Sequence, residues 1–571
     1  MATNTFPELR IEGFTGVDYT SDDYRLPLEA VTAIEGLRVD TNGNVIGFGA
    51  LGSGKALGSG GTKAMGGSWF KATNQIVLGT YTVGYNNNTI GQFHLHVAPV
   101  IGFDGTSDFT VINTTGINFT QGHELLTLAE SYEKMFIQVY KEPLLYWDGA
   151  NTGGAYLTEL STADTDLDDS GDSDDTLKFA GIATHDGHLM GWGYGDESTG
   201  HDAEETKYLG ADRPEMLRWS HLGQPLKWRP ENWLMVGTRG LPILAGVSAF
   251  GRFVVLKEEG VWLVYGSLEE NLPIAEPLYV EKGRAAGATG SRAFAVYDNA
   301  LYWMSRYGPM RWAGGNFAEY IGYPVEGDLV EQWRNSSCMV VPCPEMNGVL
   351  FMCHNSPELP FIGWGDAKYS EGSPHQFAWL WDTNRGVWAG KADLGTSIVQ
   401  SAFVAPTEKG KMRVLFDKAK ELGPITASSS SSDTMGAETG TFTTSKVRLN
   451  ENRGAVVRGL VIEGDFQPDD SATATWDITI NGSTVKQFYI GNSAPSASEA
   501  GDIWYDADGS LSYEATAAGN NWRIQSGLRP KTIRLPLTQY LREIQIKMQL
   551  NALSNDPNLT KIRRIAVQFR S

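Results

Sequence analysis

The sequence predicts an all-β protein. Its 571 residues include 66 glycines and 17 tryptophans, and turn dipeptides rich in Asp, Asn and Gly separate short apolar runs. This composition favours many short strands joined by tight turns. The turns recur at intervals of roughly 40–50 residues, about the length of one four-stranded blade. Together these observations predict an irregular β-propeller with a C-terminal β-sandwich; a plain array of β-sandwiches is the alternative architecture.

Four segments are predicted along the chain. Residues 1–130 form a β-rich segment that contributes to the propeller or to a docking domain, and residues 131–426 form the propeller blades. Residues 427–433 are a serine-rich linker, and residues 434–571 form the β-sandwich. Apolar and polar residues alternate in Glu543–Leu550, which is typical of a sheet buried on one side.

The glycine-rich run near the N-terminus resembles a phosphate-binding loop only superficially. Gly49, Gly54 and Lys55 match all but the last place of the pattern G-x-x-x-x-G-K-[ST]. A working loop opens a helix, but the glycines after Lys55 disfavour one. Ala56 replaces the hydroxyl that would bind Mg²⁺. Residues 49–67 are therefore predicted to be a flexible loop without a nucleotide site.

Hairpin turns mark the predicted blades. Their residues are suited to positive φ, as tight β-hairpins require, and the tips fall near residues 148, 186, 259, 298, 347 and 384. The long gap between the second and third tips predicts one further turn near Leu222–Lys227.

Two candidate metal sites, one of cysteines and one of histidines, are weak. Cys338, Cys343 and Cys353 lack the paired spacing of zinc ligands and are predicted to be buried thiols. His94 and His96 share a face of a strand, but without a third ligand at a sensible spacing a polar strand face is favoured over a metal site. No metal and no cofactor are therefore expected.

An acidic segment, Asp164–Asp175, contains seven aspartates and copies the first half of a calcium loop. Leu177 occupies the place of the bidentate glutamate that such a loop needs. A solvated acidic loop is favoured, with weak Ca²⁺ binding as the alternative.

The charge distribution predicts a docking face. The net charge is −21, which disfavours nucleic-acid binding by the surface as a whole. Residues 521–571, however, carry about +8 and leave about −29 on the remaining chain. A basic module on an acidic body suggests a face for an acidic partner or a second copy; a solvated polar face without a partner is the alternative. The candidate docking residues are Arg534, Arg542, Lys547, Arg563 and Arg564.

No signature of an enzyme is evident. The sequence lacks a G-x-S-x-G elbow, an H-E-x-x-H motif and a Cys–His signature. No catalytic residues are predicted. The N-terminus, MATNTFPELR, lacks a basic segment and an apolar core, which predicts synthesis in a cytosol without membrane insertion.

Several stretches resemble the β-propeller proteins that form the tail hub or nozzle of short-tailed bacteriophages. They are Pro214–Leu234, Phe250–Gly266, Leu301–Gly315 and Phe377–Gly390. Separately, Gly491–Arg523 contains GDIWYD and is similar to a GDLWYD-type element of phage tail and fibre proteins. The resemblances cover roughly half of the chain.

This resemblance implies a structural virion protein, assembled in the host cytoplasm and located in the tail. It implies a homo-oligomeric ring, often hexameric, that closes the DNA conduit until ejection. The expected neighbours are portal or adaptor proteins and fibre or spike proteins, and the genomic DNA passes without specific binding. One alternative is a tail protein that binds a host-receptor glycan; a second is a propeller glycoside hydrolase.

Overall fold

The computed structural model shows a protein built almost entirely of β-strands. It describes residues 8–19, 26–27, 29–48, 50–51, 55–56, 63–81, 93–101, 109–112, 125–140, 142–149, 157–160, 177–194, 213–280, 286–326, 338–354, 376–394, 399–418, 421–426, 439–449, 455–466, 474–491, 494–497, 500, 502–506, 511–525, 531–551 and 560–570. In these ranges the helical residues are two short 3-10 segments, Tyr323–Val325 and Pro344–Met346, and Glu326, which directly follows the first. The all-β prediction is confirmed. No helix in the described ranges is long and apolar enough to cross a membrane.

Short N-terminal strands precede the first complete blade. They are β1 (Glu8–Glu12), β2 (Gly16–Val17), β3 (Ala30–Glu35), β4 (Leu37–Val39), β5 (Val45–Gly47), β6 (Ala50–Leu51) and β7 (Lys55–Ala56).

Blades one to four are four-stranded antiparallel sheets in which consecutive strands are neighbours. Blade one contains β8 (Lys63–Phe70), β9 (Gln75–Tyr81), β10 (Phe93–Pro99) and β11 (Thr110–Ile112), and blade two contains β12 (Leu126–Ser131), β13 (Lys134–Val139), β14 (Leu145–Trp147) and β15 (Thr158–Glu159). Blade three contains β16 (Gly181–His185), β17 (His188–Tyr194), β18 (Arg213–His221) and β19 (Gln224–Met235). Blade four contains β20 (Ile243–Ala249), β21 (Arg252–Lys257), β22 (Val261–Ser267) and β23 (Leu272–Pro277).

Blades five to seven use the same pattern with added strands. Blade five contains β24 (Tyr279–Val280), β25 (Phe294–Tyr297), β26 (Ala300–Ser305), β27 (Gly308–Trp312) and β28 (Phe317–Tyr320); blade six contains β29 (Cys338–Cys343), β30 (Gly348–His354), β31 (Gln376–Asp382) and β32 (Val387–Asp393); blade seven contains β33 (Val399–Pro406), β34 (Met412–Lys418) and β35 (Glu421–Thr426). The fourth position of blade seven is filled from the N-terminus, because β35 pairs with β6 and β7.

The seven blades of the described chain form a closed ring. The first strand of blade seven, β33, contacts the first strand of blade one, β8. Each pair of neighbouring blades shares an apolar cluster, including blades seven and one. Gly67 on β8 allows the closing contact, because a Cβ atom there would lie 2.1 Å from the Phe403 ring on β33. The prediction of an irregular propeller is therefore confirmed.

The C-terminal strands form a sandwich that is continuous with the propeller. They are β36 (Thr439–Thr444), β37 (Val447–Arg448), β38 (Ala455–Phe466), β39 (Ala474–Ile480), β40 (Ser483–Gly491), β41 (Ile503–Asp506), β42 (Leu511–Ala517), β43 (Asn521–Ile524), β44 (Thr532–Leu541), β45 (Glu543–Ile544), β46 (Ile546–Asn551) and β47 (Thr560–Arg570). One sheet contains β1, β47, β38 and β44 and continues through β5 and β4 into blade six. The other contains β2, β3, β36, β46 and β39 to β43. Ile462 and Ile565 of the first sheet share an apolar cluster with Ile478 and Met548 of the second.

Most predicted turns are present. Asp186 and Gly187 have φ of 45° and 77°, as their hairpin requires, and the further turn, predicted near Leu222–Lys227, lies at Leu222–Gly223 and joins β18 to β19 within blade three. The turn at Glu259–Gly260 is present, but neither residue has positive φ. The tips near 347 and 384 lie in one blade, so tips do not correspond to blades one by one.

The expectation of a flexible glycine loop at residues 49–67 is wrong for the described residues of this range, 50–51, 55–56 and 63–67. Ala50–Leu51 and Lys55–Ala56 form strands that pair with blade seven. Lys63–Phe70 begins blade one. Lys55 lies in a strand and does not open a helix, as a phosphate-binding loop would require. The serine-rich linker, residues 427–433, lies outside the described residues.

Candidate functional site

The five predicted docking residues lie on both sheets of the sandwich. Arg534 is on β44, Arg563 and Arg564 are on β47, Lys547 is on β46, and Arg542 lies between β44 and β45. Arg542, Lys547 and Arg563 are exposed, whereas Arg534 and Arg564 are partly buried. The residues therefore do not form one row on a single strand.

Two of these residues are already in internal ion pairs. Arg564 Nη2 lies 2.9 Å from Glu463 Oε2, and Arg563 shares Asp465 with Lys531. Burial disfavours ionisation of Asp465, but the hydrogen bond from Lys531 and the two positive charges outweigh it and lower the pKa of this carboxyl. No ion pair of Arg542 or Lys547 is found in the described part of the chain. The prediction of a docking face therefore depends mainly on these two exposed residues.

The two histidines of β10 lie side by side, with ring centroids 6.3 Å apart. His96 is fully buried, its Nε2 lies 2.8 Å from Thr80 Oγ1, and its ring meets Phe109 edge-on. The expected polar strand face is thus wrong for His96, which packs inside the protein. Among the residues that the structure covers, no group of three or more His, Cys, Asp or Glu side chains could hold a metal ion.

Acid should destabilise the protein through His96. Burial, assisted by the charge of His94, lowers the pKa of His96 from 6.5 to about 4. Between these values the unfolded chain binds a proton that the folded chain excludes, so stability falls as pH drops from 6.5 to 4, by up to about 3 kcal/mol. Urea unfolding of the wild type and of His96→Gln at pH 7 and pH 4.5 should show a smaller loss in the variant. Equal losses would contradict this assignment.

The three cysteines are buried and form no disulfide, as predicted. Burial raises the pKa of the Cys343 thiol above its ordinary range. The acidic segment Asp164–Asp175 lies outside the described residues, so the calcium question stays a prediction.

In the part of the chain that carries the GDIWYD element, Ile503–Asp506, Leu511–Ala517 and Asn521–Ile524 (β41 to β43) form a small meander at the edge of the second sandwich sheet. Trp504 stacks on Tyr513 with a centroid distance of 4.7 Å and meets Trp522 at 5.9 Å. Trp522 Nε1 donates a hydrogen bond to the Pro495 carbonyl at 2.9 Å. These aromatic rings pack on each other and hold the meander together, as cross-strand aromatic pairs do.

A cavity in blade three has no counterpart in the sequence predictions. Its volume is about 280 Å³, and it is lined by Arg213, Glu215, Met216, Trp233, Met235, Gly237 and Arg239. Glu215 is only 3% exposed, and its Oε2 has no hydrogen-bond partner. An unpartnered buried carboxylate oxygen is costly unless a ligand or water satisfies it.

A buried lysine lies beside this cavity. Lys257 Nζ donates to the carbonyls of Val236 and Thr238, both at 2.9 Å, and lies 3.2 Å from Glu259 Oε1. Burial lowers the pKa of Lys257, while Glu259 and the charge of Glu215 oppose this shift. Glu259 and two carbonyls hold the ammonium group, and Lys257 makes no hydrogen bond to Glu215 Oε2.

Comparison with known proteins gives no family. No protein-family model and no curated protein matches the chain. A solved exo-β-1,3-galactanase from Phanerochaete chrysosporium is similar at 9% identity over 80% of this chain and 98% of the galactanase, with a TM-score of 0.25. PorZ, an essential surface component of the type-IX secretion system of Porphyromonas gingivalis, is similar at 12% identity over 82% of this chain and 58% of PorZ, with a TM-score of 0.38. The C-terminal WD40 domain of Sif2 is similar at 6% identity over 66% of this chain and 98% of that domain, with a TM-score of 0.30. These values are too low to support any inference of function, and the propeller assignment rests on the strand pairing itself.

Proposed function

We propose that the protein is a structural subunit of the tail of a short-tailed bacteriophage, where it forms the nozzle or hub. The observation that carries the proposal is the position of the four stretches that resemble this family. Each one spans a hairpin of a different blade, from β18–β19 of blade three to β31–β32 of blade six; the others are β21–β22 and β26–β27. The resemblance therefore recurs once in each of blades three to six and is not confined to a single motif.

The charge and the strand pairing support the same role. A conduit must let DNA pass without holding it, and an acidic wall repels phosphates over about one Debye length, roughly 8–10 Å. The sheet that joins blade six to the sandwich removes a flexible hinge between them. A rigid acidic body with a basic docking module suits a subunit of a homo-oligomeric ring, with six copies as the expected number.

Imaging of the purified protein and of virions tests this proposal. We expect rings with a central channel and the protein at the tail tip, where it contacts portal or adaptor proteins and fibre or spike proteins. We also expect no retardation of duplex DNA by the purified protein. A protein that is absent from virions and never forms rings would contradict the proposal.

Neutralising the exposed docking residues should weaken assembly. Arg542→Gln combined with Lys547→Gln is expected to lower incorporation into tails at least tenfold, because the charges that attract an acidic neighbour are removed. Quantitative mass spectrometry of purified particles measures this loss, and the urea midpoint of the isolated protein should stay unchanged. Arg523→Gln, an exposed basic residue of the same module, is the matched control. Full incorporation of the double variant would contradict the docking prediction.

A second candidate function, a glycan-binding tail protein, is favoured by the Glu215 cavity. A carboxylate oxygen accepts hydrogen bonds from sugar hydroxyls, Arg213 and Arg239 can donate to sugar oxygens, and Trp233 offers an apolar wall. A neutral saccharide has hydroxyl groups for the carboxylate and the two arginines and an apolar ring face for the tryptophan. Hydrolysis needs a pair of carboxylates across the bond, whereas Glu215 is the single carboxylate among the described lining residues.

Host envelope glycans separate these functions. Release of sugar would indicate a hydrolase, and retention without cleavage would indicate a receptor-binding protein. If the protein neither cleaves nor retains the glycans, the conduit role alone is favoured. If retention occurs, Glu215→Gln and Trp233→Ala should each lower it at least tenfold, whereas Glu231→Gln, at an exposed position on β19, should not. Equal retention by all variants would exclude this cavity as the site.

A further inference from the structure

We propose that Cys338 and Cys353 are a redox pair that closes to a cross-strand disulfide in the folded protein. The two residues face each other directly in the antiparallel pair of β29 and β30. Their Sγ atoms are 3.1 Å apart, and their side chains are 1% and 0% exposed. Both thiols therefore lie in contact inside blade six.

The backbone already has the geometry that a disulfide requires. Directly opposite residues of an antiparallel ladder have Cα atoms about 4.5–5.5 Å apart, and disulfides bridge Cα atoms about 4.4–6.8 Å apart. Closure therefore needs a rotation of the side chains and no displacement of a strand.

The third cysteine cannot replace either partner. Cys343 lies at the far end of β29, opposite Gly348. It packs in the cluster between blades six and seven, whereas Cys338 and Cys353 pack in the cluster shared with the sandwich. Only one pairing is therefore expected.

The chemistry needs an oxidant, and a small disulfide such as oxidised glutathione is of the right class. One protein thiolate attacks it and releases one glutathione thiolate; the second protein thiolate then attacks the mixed disulfide and releases the other. Two protein thiols lose two electrons and two protons, and one glutathione disulfide becomes two thiols. The hydrogen bond between the thiols and their burial raise the pKa of Cys353, so the reaction should be slow at neutral pH.

The bond would fasten the first two strands of blade six. That blade continues into the sandwich through β4 and β5, so oxidation would stiffen the junction between the two parts. A particle that leaves a reducing cytosol would acquire this cross-link afterwards.

Oxidation of the full-length protein tests the proposal. The protein is incubated with oxidised glutathione at pH 8, both in buffer and in urea below its unfolding midpoint, then unfolded and alkylated. Non-reducing peptide mapping should show one bridge between Cys338 and Cys353, a mass loss of about 2 Da, and alkylated Cys343. Dithiothreitol should reduce this bridge and restore the two thiols.

Single variants identify the partners. Cys343→Ser should keep the bridge, and Cys338→Ser or Cys353→Ser should abolish it. Three alkylated thiols under both conditions, a stable glutathione adduct without the bridge, or any bridge to Cys343 would overturn the proposal.

Discussion

A variant that lacks residues 1–57 is expected to lose its cooperative unfolding transition. The deletion removes the strands β6 and β7 that complete blade seven, together with β1 to β5 of the sandwich and the junction. It also removes buried side chains such as Phe14, Ile34 and Leu37, each of which contributes about 1.5–3 kcal/mol on burial. The ten buried Ile, Leu, Val and Phe side chains in the described part of this segment together contribute about 15–30 kcal/mol, which is at least the whole stability of a typical domain, about 5–15 kcal/mol.

Calorimetry and size-exclusion chromatography measure this effect. The truncated protein should aggregate or elute as an expanded species, without a sharp thermal transition. Deletion of residues 1–7, which precede β1, is the control and should leave the transition intact. A truncated protein that melts at the wild-type temperature would show that the N-terminal strands do not close the ring.

Substitution of Trp388 by Ala should destabilise the protein by about 3–5 kcal/mol through the lost volume alone. Trp388 is 1% exposed and packs against Trp381 and Phe351, with both centroid distances at 5.3 Å. Its Nε1 donates to the Ile321 carbonyl at 2.8 Å, so removal of the indole also leaves a buried acceptor unpaired, at a further cost of about 1–3 kcal/mol.

The loss in the free energy of unfolding is measured by urea denaturation. Trp388→Phe, which keeps most of the packing but loses the N–H group, should give an intermediate loss. Tyr307→Ala removes an aromatic ring that is 41% exposed and should have little effect. If Trp388→Ala lost no more stability than Tyr307→Ala, the interface between blades five and six would not depend on this side chain.

The local part of the fold was predictable from sequence. Asp186–Gly187 and Asp298–Asn299 have positive φ in the structure, because short polar residues and glycine tolerate the conformation that a tight hairpin demands. The pairing of strands that are far apart in the sequence was not predictable. Lys55–Ala56 pairs with Glu421–Leu422, and nothing in a run of glycines indicates a partner so far away in the chain.

The same limit applies to the candidate sites. The basic residues at the C-terminus were visible as a cluster of charge, but the pairing of Arg563 with Asp465 and of Arg564 with Glu463 depends on the neighbouring strand β38. Glu215 follows a proline in an ordinary strand pattern and carries no motif. Its significance depends on burial and on an unpartnered oxygen, which are properties of the folded chain alone.

The pairing of Glu8–Glu12 with Arg564–Gln568 has a consequence for biogenesis. Strand β1 leaves the ribosome long before its partner exists, so it stays unpaired until Arg564–Gln568 has been synthesised. Contacts of such long sequence separation make folding slow and leave strand edges open to wrong partners. We therefore expect nascent chains halted short of residue 560 to recruit chaperones, and chains that include Thr560–Arg570 to be released from them.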